Sequence, residues 1–489
     1  MQTDLVQQAG TQSRRAARVA FFFSHGFAAR MVLRSGLARR LTAEGMEITV
    51  ISPNADEGYF KQECQIDGIS LKQHPDSKGR IAHWFRAYRP YLLDDVMNNV
   101  AHKTRYARDL QNRYVFGFAL NLINRTISRC SVFRTFARSA ERRINRSKKI
   151  KALLTELRPD LLILSNPFGV GETVYLLHAR ELGIPVACQM LSWDNITSKG
   201  TPLLMPQYFI SWGPVMTDEI IDLYGFPEER IFECGVSHFD VYSQKDQFIP
   251  RSVLLKQLGL SPDLPYIFYG MVPSYSCPNE LDILSWLTEQ VNQNSLARRC
   301  SLVIRPHPQS VSGLYARRPS ELEKLQSLAG PQVALDMPQV LSERLAWDLP
   351  KSDMYNLASL LFGSEMCLNA NSTLCLDACV LDRPVINIAF DGRKDLPYEW
   401  SARRGPDYSH MSKLLAFGGI RIARSFDELK RHINSYLCEP NLDHEQRMIA
   451  AAQECGPCDG RAGERIAQAL LTLSNAHNGD GRDPFSLRI

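Results

Sequence analysis

Short apolar runs alternate with stretches of helical periodicity along most of the 489-residue chain. The first apolar run spans residues 18–24, a helical pattern follows over 29–43, and a second apolar run covers 47–52. A strand, a helix and a strand joined by short loops form a βαβ unit, which favours a parallel sheet. The alternation then continues, with strands predicted at 160–165, 184–189 and 208–211 and helices at 172–182 and 214–224.

A second series of the same kind starts near Pro265. It predicts strands at 266–269, 301–305, 365–368 and 384–388 and helices at 280–293, 352–363 and 372–381. Because the polar stretch 244–250 separates the two series, we predict two doubly wound, Rossmann-like α/β domains, at 18–243 and 251–475. Open parallel sheets bind ligands at the carboxyl ends of their strands, so the two sheets are expected to face a cleft. The polar ends, 1–17 and 476–489, are predicted to be a disordered and a flexible tail.

Residues 79–151 interrupt the alternation, because this segment contains only helix-compatible sequence. It has 17 Lys and Arg against 4 Asp and Glu, which is a net charge of +13 in a chain whose total is +5. Such a basic helical insertion in the first domain can contact an anionic membrane surface or receive an anionic acceptor. It can equally be an ordinary insertion with a solvated basic face. It carries no nucleic-acid recognition motif, so no nucleic-acid partner is expected.

The composition narrows the class of protein. Hydrophobic residues make up 44% of the chain and charged residues 22%, values that exclude wholesale disorder, collagen-like repeats and a small disulfide scaffold. No window offers the roughly 18 uncharged apolar residues that span a bilayer, and the Gln-rich start lacks the pattern of a secretory signal. We therefore expect a cytoplasmic protein, peripheral on the inner face of the membrane if the basic insertion binds lipid.

The polar segment after the predicted strand 365–368 opens a helix at Ser372 and Thr373. The first amide groups of a helix lack internal partners, and the helix dipole favours an anion there. The two hydroxyl groups, with Asn371 beside them, can add hydrogen bonds to a diphosphate. Asp377 lies one turn further on the same face and can accept hydrogen bonds from ribose hydroxyls. Alternatively, Ser372 is only the N-cap of the helix.

Arg305 and His307 follow another predicted strand of the second half, in Ile304-Arg-Pro-His-Pro308. The two prolines fix the backbone, so both side chains are held at the expected ligand edge of the sheet. Arginine offers a planar fork of donors that suits phosphate, and histidine adds one more. This pair therefore predicts an anion-binding site.

Polar side chains also follow a strand of the first half, in residues 191–200. Asp194 is a candidate general base, Trp193 a platform for a sugar ring, and Lys199 an anion contact, with Asn195 beside them. The alternative is a turn capped by Asp194 and Asn195.

Two histidines complete the candidate set. His25 follows the first strand, where a loop histidine near neutral pKa can remove a proton from an acceptor hydroxyl; it can equally be a helix-entry residue bound to backbone. His410 is a weaker candidate for contact with the acceptor or sugar.

The sequence lacks the motifs of several enzyme classes. It has no Gly-x-Gly-x-x-Gly after the first strand, no phosphate-binding P-loop, no Gly-x-Ser-x-Gly elbow and no His-Glu-x-x-His helix. No Asp-x-Asp stands at a strand end, which disfavours a metal-dependent, single-domain nucleotide-sugar transferase. We expect no metal site and no cofactor.

With these residues the chain resembles the two-domain GT-B glycosyltransferases, and more narrowly bacterial surface-polysaccharide transferases related to CDP-glycerol glycerophosphotransferases. The matching segments are 24–26, 192–200, 305–308, 371–373 with Asp377, 418–423 and 425–429. The resemblance implies that the donor diphosphate is bound by Arg305, His307, Ser372 and Thr373. Asp377 stands where such proteins often have a Glu that binds ribose, and His25 matches a loop base of some members.

The resemblance and the residues together favour a metal-independent glycosyltransferase of bacterial surface-polysaccharide biosynthesis. It would use a nucleotide-sugar donor as co-substrate and a glycan or lipid-linked acceptor. Three alternatives stay open: transfer of a polyol phosphate from a CDP-activated donor, epimerisation of a nucleotide sugar at carbon 2, and a non-catalytic scaffold.

Overall fold

The computed structural model describes residues 15–75, 80–94, 99–112, 114–126 and 129–478. It contains two parallel sheets, each with helices on both faces. The predicted fold class, two doubly wound α/β domains with a helical insertion in the first, is confirmed.

Seven strands build the sheet of the first domain. They are β1 (Arg18–Phe22), β2 (Glu47–Ser52), β3 (Ile69–Gln73), β4 (Leu161–Leu164), β5 (Val186–Gln189), β6 (Tyr208–Ser211) and β7 (Ile231–Glu233). Their order across the sheet is β3-β2-β1-β4-β5-β6-β7. In β1, Val19 and Phe21 pack in a core on one face, whereas Ala20 and Phe22 pack in a core on the other. Burial on both faces explains why this strand is a continuous apolar run.

The helices of the first half connect these strands. They are α1 (Gly26–Ala29), α2 (Leu37–Ala43), α3 (Gly58–Glu63), α4 (Arg80–Leu93), α5 (Val100–Asn112), α6 (Tyr114–Arg125), α7 (Ser131–Ile144), α8 (Lys148–Leu157), α9 (Val170–Glu181), α10 (Asn195–Ser198) and α11 (Pro214–Tyr224). The helix predicted over 29–43 is interrupted, because a π-helical turn follows α1 and Gly36 adopts φ +87° before α2. Helices α4 to α7 form the insertion, whose described residues contain no strand. No helix in the described ranges is long and apolar enough to cross a membrane.

The second domain repeats the architecture with six strands. They are β8 (Tyr266–Gly270), β9 (Ser301–Arg305), β10 (Val333–Leu335), β11 (Met366–Asn369), β12 (Val385–Ile388) and β13 (Ile420–Ala423), in the order β10-β9-β8-β11-β12-β13. Its helices are α12 (Arg251–Gln257), α13 (Glu280–Asn292), α14 (Tyr315–Arg317), α15 (Pro319–Gln326), α16 (Lys351–Gly363), α17 (Leu374–Val380), α18 (Ser409–Ala416) and α19 (Phe426–Cys438).

The chain then returns to the first domain through α20 (His444–Cys455) and α21 (Ala462–Asn478). Ile466, Leu470 and Leu473 on α21 have no exposed surface and pack in the core around Phe21. The predicted second domain, 251–475, is therefore wrong at its end, because its last helix completes the apolar face of the other sheet.

The two predicted tails lie mostly outside the described residues. Of the first, residues 15–17 are described: Arg15 pairs with Asp160 at 2.5 Å and Ala17 is buried. Of the second, 476–478 are described and end helix α21.

Candidate active site between the two domains

The carboxyl ends of the two sheets meet around three aromatic side chains. His25 follows β1 of the first domain, and His307 follows β9 of the second. Both imidazole rings lie edge-on to the indole of Trp347, with ring centroids 4.8 Å and 5.0 Å away. The structure therefore brings together two histidines that are 282 residues apart in the sequence.

Each of these histidines is fixed by its own backbone turn. Nδ1 of His25 accepts a hydrogen bond from the amide of Phe27, and Nδ1 of His307 accepts one from the amide of Gln309, both at 3.1 Å. Burial lowers the pKa of both imidazoles to about 4. Because a neutral imidazole carries one proton and Nδ1 is the acceptor here, the proton lies on Nε2. Both rings thus offer a neutral N–H donor, and the role of general base predicted for His25 does not fit this geometry.

A segment of the second domain, residues 341–350, crosses into the first domain beside His25; we call it the strap. Its Asp348 is fully buried and pairs with Arg34 at 2.6 Å. The same carboxylate accepts hydrogen bonds from Tyr59 at 2.5 Å and from Asn54 at 3.3 Å. The strap therefore holds the two domains together at the edge of the candidate site.

The predicted diphosphate loop follows β11 and is tied to its neighbours. Asn371 adopts φ +62°, and its amide N–H donates to Oδ1 of Asn387 at 2.7 Å. The amide of Ser372 donates to Asn369, and the Ser372 hydroxyl accepts from the amide of Leu374. Helix α17 begins at Leu374, two residues after the predicted start at Ser372, and the side chain of its N-cap, Thr373, makes no capping hydrogen bond. Ser372 and Thr373 are both partly exposed and can contact a ligand.

Arg305 does not point to a ligand. Its guanidinium is 5% exposed and pairs with Asp336 and, at 2.5 Å, with Asp353. The structure contradicts the predicted phosphate contact, because two carboxylates already occupy the fork that a phosphate would need. Arg305 instead joins the end of β9 to the residue after β10 and to the start of α16, which fixes the strand end that carries His307.

Asp377 is also buried, away from the edge of the sheet at which a ligand is expected to bind. It is 6% exposed and accepts a hydrogen bond from the hydroxyl of Tyr242, and burial raises the pKa of its carboxyl. The predicted ribose contact is wrong, because the short side chain one turn into α17 is covered by the segment that links the domains.

Asp194 lies in a second polar group at the domain boundary. Burial alone would raise the pKa of its carboxyl, but the nearby Lys199 and His410 and the hydroxyls of Ser192 and Ser198 hold that pKa below its usual value. Ser192 donates to Asp194 at 2.6 Å and Ser198 at 3.1 Å. An ionised carboxylate is thus held at the carboxyl edge of the first sheet.

The other predicted residues of this loop lie around Asp194. The ring of Trp193 is 4.8 Å from that of His410, and His410 stacks on Tyr408. Lys199 is exposed, whereas Asn195 is 4% exposed and its Nδ2 has no hydrogen-bond partner in the described part of the chain. The structure therefore brings Trp193, Asp194, Asn195, Lys199 and His410 together.

Several side chains of the site are absent from the sequence-based prediction. Trp347 lies on the strap, far from any predicted strand end, and no motif marks it. Arg404 donates to the carbonyl of Tyr275 at 2.6 Å and to the hydroxyl of Tyr408 at 3.1 Å, which places these three residues beside Asp194. Glu172 is fully buried and accepts hydrogen bonds from Ser24 and from the amides of Ser165 and Asn166. The sequence indicates a role for Glu172 only through its position, which is in the first turn of a helix that begins with glycines.

Within the described ranges, no three His, Cys, Asp or Glu side chains are grouped as ligands of a metal ion. Neither a protein-family model nor a curated protein matches the sequence.

Solved structures do match the fold. UDP-GlcNAc 2-epimerase from Neisseria meningitidis bound to UDP-GlcNAc has a TM-score of 0.54 at 11% identity, over 94% of this chain and 100% of that one. The Methanocaldococcus jannaschii UDP-GlcNAc 2-epimerase in complex with UDP-GlcNAc and UDP has a TM-score of 0.50 at 12% identity, over 94% and 99%. A glycosyltransferase from Rickettsia africae has a TM-score of 0.50 at 11% identity, over 93% and 99%. With two Rossmann-like sheets facing each other across a cleft and with these structural neighbours, the chain has the GT-B fold.

Proposed function

We propose that this protein is a glycosyltransferase that moves a sugar from a nucleotide-activated donor to a glycan or lipid-linked acceptor of a bacterial surface polysaccharide. The observation that carries the proposal is the pair of neutral Nε2–H donors of His25 and His307, one from each domain, at the carboxyl ends of facing strands. The structural neighbours include proteins bound to UDP-GlcNAc and UDP, which supports a nucleotide-sugar donor.

In this proposal the donor diphosphate lies between His25, His307 and the loop at Ser372 and Thr373. Negative charge builds on the diphosphate as the bond to the anomeric carbon breaks. Fixed N–H and O–H donors stabilise that charge more in the transition state than in the ground state, so they accelerate the reaction without a metal. Arg305 acts as a positioning residue, since it holds the strand end before His307.

The acceptor enters on the side of Asp194. Its hydroxyl gives up a proton to the Asp194 carboxylate or to His410, attacks the anomeric carbon and displaces the nucleoside diphosphate. Burial and the nearby Lys199 lower the pKa of His410, although Asp194 opposes this change. A neutral imidazole beside an ionised carboxylate is a suitable proton acceptor.

The first experiment measures nucleotide binding by thermal shift with UDP, GDP, CDP and CMP. A ligand at about 100 times its Kd adds about 2.7 kcal/mol to the free energy of unfolding, so the nucleotide base that fits raises the Tm. We expect His307→Ala to lose this shift, and His444→Ala, on the exposed side of α20, to retain it. A shift that is unchanged in His307→Ala and in His25→Ala would contradict the proposed diphosphate site.

Two other reactions fit the same anion site. Because some structural neighbours are UDP-GlcNAc 2-epimerases, 2-epimerisation, which needs one substrate and no acceptor, is a second candidate. Incubation with UDP-GlcNAc alone, followed by NMR, tests this candidate: appearance of the 2-epimer would replace our proposal. Consumption of CDP-glycerol but not of nucleotide sugars would assign polyol-phosphate transfer.

We further propose that the insertion contacts an anionic membrane surface. On α6, Val115, Phe118 and Leu122 are exposed at spacings of three and four residues, and Val132 and Phe136 are exposed on α7. Arg125 and Arg129, which are both exposed, lie between these two rows in the sequence. Apolar side chains beside cations are typical of surfaces that rest on acidic headgroups.

A vesicle sedimentation assay tests this contact. The protein is expected to bind vesicles with acidic lipids and to dissociate as the salt concentration rises, because salt screens the attraction between the basic side chains and the acidic headgroups. Replacing Phe118 and Phe136 by Ser should reduce binding, whereas Leu223→Ser, an equally exposed apolar residue on α11, should not. Equal binding to neutral and acidic vesicles would contradict the proposal.

A further inference from the structure

A cavity of about 270 Å³ lies between the insertion and the first domain; we call it the basic pocket. Its walls are α4, α5 and α7 on one side and the loops after β4 and β5 on the other. The volume is close to the lower end of the roughly 300–1,000 Å³ found for small-molecule sites. It therefore suits a ligand of about one sugar unit.

The lining of the basic pocket is strongly positive. Among the described residues, four cationic side chains line it, against one carboxylate, Glu141: Arg86, Arg89, Arg105 and Lys199. Lys199 also lies near enough to Asp194 to lower the pKa of that carboxyl. Clefts lined by one sign of charge concentrate ligands of the opposite sign.

Two side chains of the lining have buried nitrogen atoms without hydrogen-bond partners among the described residues. His102 is 7% exposed and lines the pocket, and no described residue bonds to its Nδ1. Arg89 pairs with Glu141 at 2.7 Å and with Asp94 at 3.3 Å, whereas its buried Nη2 has no partner in the described part of the chain. Buried polar groups without hydrogen bonds are rare in folded proteins and cost free energy, so each one suggests an absent ligand or ordered water.

Glu141 is the one acidic residue among the described residues of the lining. Its Oε2 has no hydrogen-bond partner in the described part of the chain, and burial raises the pKa of the carboxyl, although the Arg89 guanidinium opposes this change. The contact with Arg89 at 2.7 Å offsets the charge of Glu141, so the lining as a whole stays positive.

We propose that the basic pocket binds a negatively charged group, a carboxylate or a phosphate, carried by the acceptor. The inference rests on the proposed transfer reaction and names the class of its second substrate. Ser198 connects the basic pocket with the proposed base Asp194, because it lines the pocket and its hydroxyl donates to the Asp194 carboxylate at 3.1 Å. An acceptor anchored by its charge in the pocket therefore presents a neighbouring hydroxyl to the proposed base.

The test uses the full chain saturated with the nucleotide identified by thermal shift, so that added anions cannot occupy the diphosphate site. Isothermal titration with inorganic phosphate, glucuronate and glucose measures the preference for charge. Both anions are expected to bind and glucose is not. Stronger binding of phosphate would assign a phosphorylated acceptor, and stronger binding of glucuronate an acidic sugar.

The variants Lys199→Gln and Arg86→Gln should each weaken anion binding about tenfold, since each removes a charge-assisted hydrogen bond. Arg142→Gln, an exposed cation of α7 outside the pocket, is the matched control and should bind as the parent does. The same loss in all three variants, or binding of glucose with the affinity of glucuronate, would overturn the inference.

Failure of the proposed function is distinguishable from failure of the pocket. If no nucleotide raises the Tm, the donor site is wrong, and the anion titration is repeated on His307→Ala without nucleotide. Anion binding that still depends on Lys199 and Arg86 would then support the pocket alone.

Discussion

Arg305 is the clearest case of a side chain whose observed contacts differ from its predicted role. Its guanidinium is buried between Asp336 and Asp353, so its loss would leave the buried carboxylate of Asp353 and the partly buried carboxylate of Asp336 without their partner. Breaking a buried ion pair typically costs about 3–5 kcal/mol. We expect Arg305→Ala to lower the free energy of unfolding by that amount in urea denaturation.

The control for this prediction is Arg393→Ala, because Arg393 is exposed and only loosely paired with Glu289 at 3.7 Å. Its effect should stay within about 0.5 kcal/mol. If Arg305→Ala were as stable as Arg393→Ala and lost only nucleotide affinity, Arg305 would be a ligand contact after all.

The histidines of the cleft make stability depend on pH. The pKa of His307 is about 4 in the folded protein, whereas an unfolded histidine has a pKa near 6.5. Between these values the unfolded chain binds more protons, so the stabilising contribution is complete above pH 6.5 and is lost as pH falls towards 4. At pH 5 the loss amounts to about 2 kcal/mol per histidine.

Urea unfolding of the nucleotide-free chain at pH 7 and pH 5 measures this loss. We expect His307→Gln to reduce the difference between the two pH values by about 2 kcal/mol. Gln309→Ala, an exposed neighbour without a titrating group, should leave the difference unchanged. An unchanged difference in His307→Gln would mean that the imidazole is not buried in its neutral form.

At this scale the sequence predicts which residues lie near the cleft better than it predicts what they do. His25, His307, Asp194 and Ser372 follow strands, and parallel strands end at one edge, so their neighbourhood follows from the pattern. The sequence does not indicate which nitrogen of an imidazole is protonated, or whether an arginine meets a phosphate or a carboxylate. Those properties depend on partners such as Asp336, which directly follows β10, a short strand that the pattern does not predict.

Among the elements, α1 and the strap approach each other closely where the two domains meet. A Cβ added to Gly26 would lie 2.6 Å from the Cα and N of Asp348, which are backbone atoms that cannot rotate away. Overpacking of this kind typically costs 1–3 kcal/mol. We expect Gly26→Ala to displace the strap from the first domain and to lower both the Tm and the nucleotide affinity.

Limited proteolysis measures this displacement directly, because trypsin is expected to cleave after Arg344 once the strap leaves the first domain. Gly58→Ala is the matched control, since a Cβ at Gly58 meets no atom within 4 Å and that glycine begins helix α3. Equal resistance to trypsin in both variants would show that the strap does not depend on this close approach.

The elements that the sequence pattern does not predict share one position in the fold. The four strands without a predicted counterpart, β3, β7, β10 and β13, are the edges of the two sheets. Edge strands here are short or partly exposed, as in the pattern of Ile231–Glu233, so they lack the apolar run that marks a strand buried on both faces. The nine central strands carry that run, which is why the two sheets are predictable.

For the whole molecule, the two halves of the chain are interlocked rather than merely adjacent. Leu345, carried by the strap of the second domain, is fully buried in the core of the first, and α21 returns to that same core. Contacts between residues hundreds of positions apart leave no periodic signal in the sequence. The prediction therefore assigns α21 to the second domain, although this helix packs in the core of the first. The shared fold at 11% identity with known structures shows that this architecture tolerates very different side chains.

Interlocking predicts that the domains unfold together. Leu345→Ala and Leu470→Ala each remove a fully buried side chain and should each lower the free energy of unfolding by about 2–5 kcal/mol. Because both leucines belong to a core that takes residues from both halves of the chain, each variant should keep one cooperative transition in calorimetry and move it as a whole. Leu223→Ala, whose side chain is 55% exposed, is the control and should leave that transition in place. A split into two transitions in Leu345→Ala would mean that the strap only joins two domains that are stable on their own, and domain closure would then be an equilibrium that a bound nucleotide can shift.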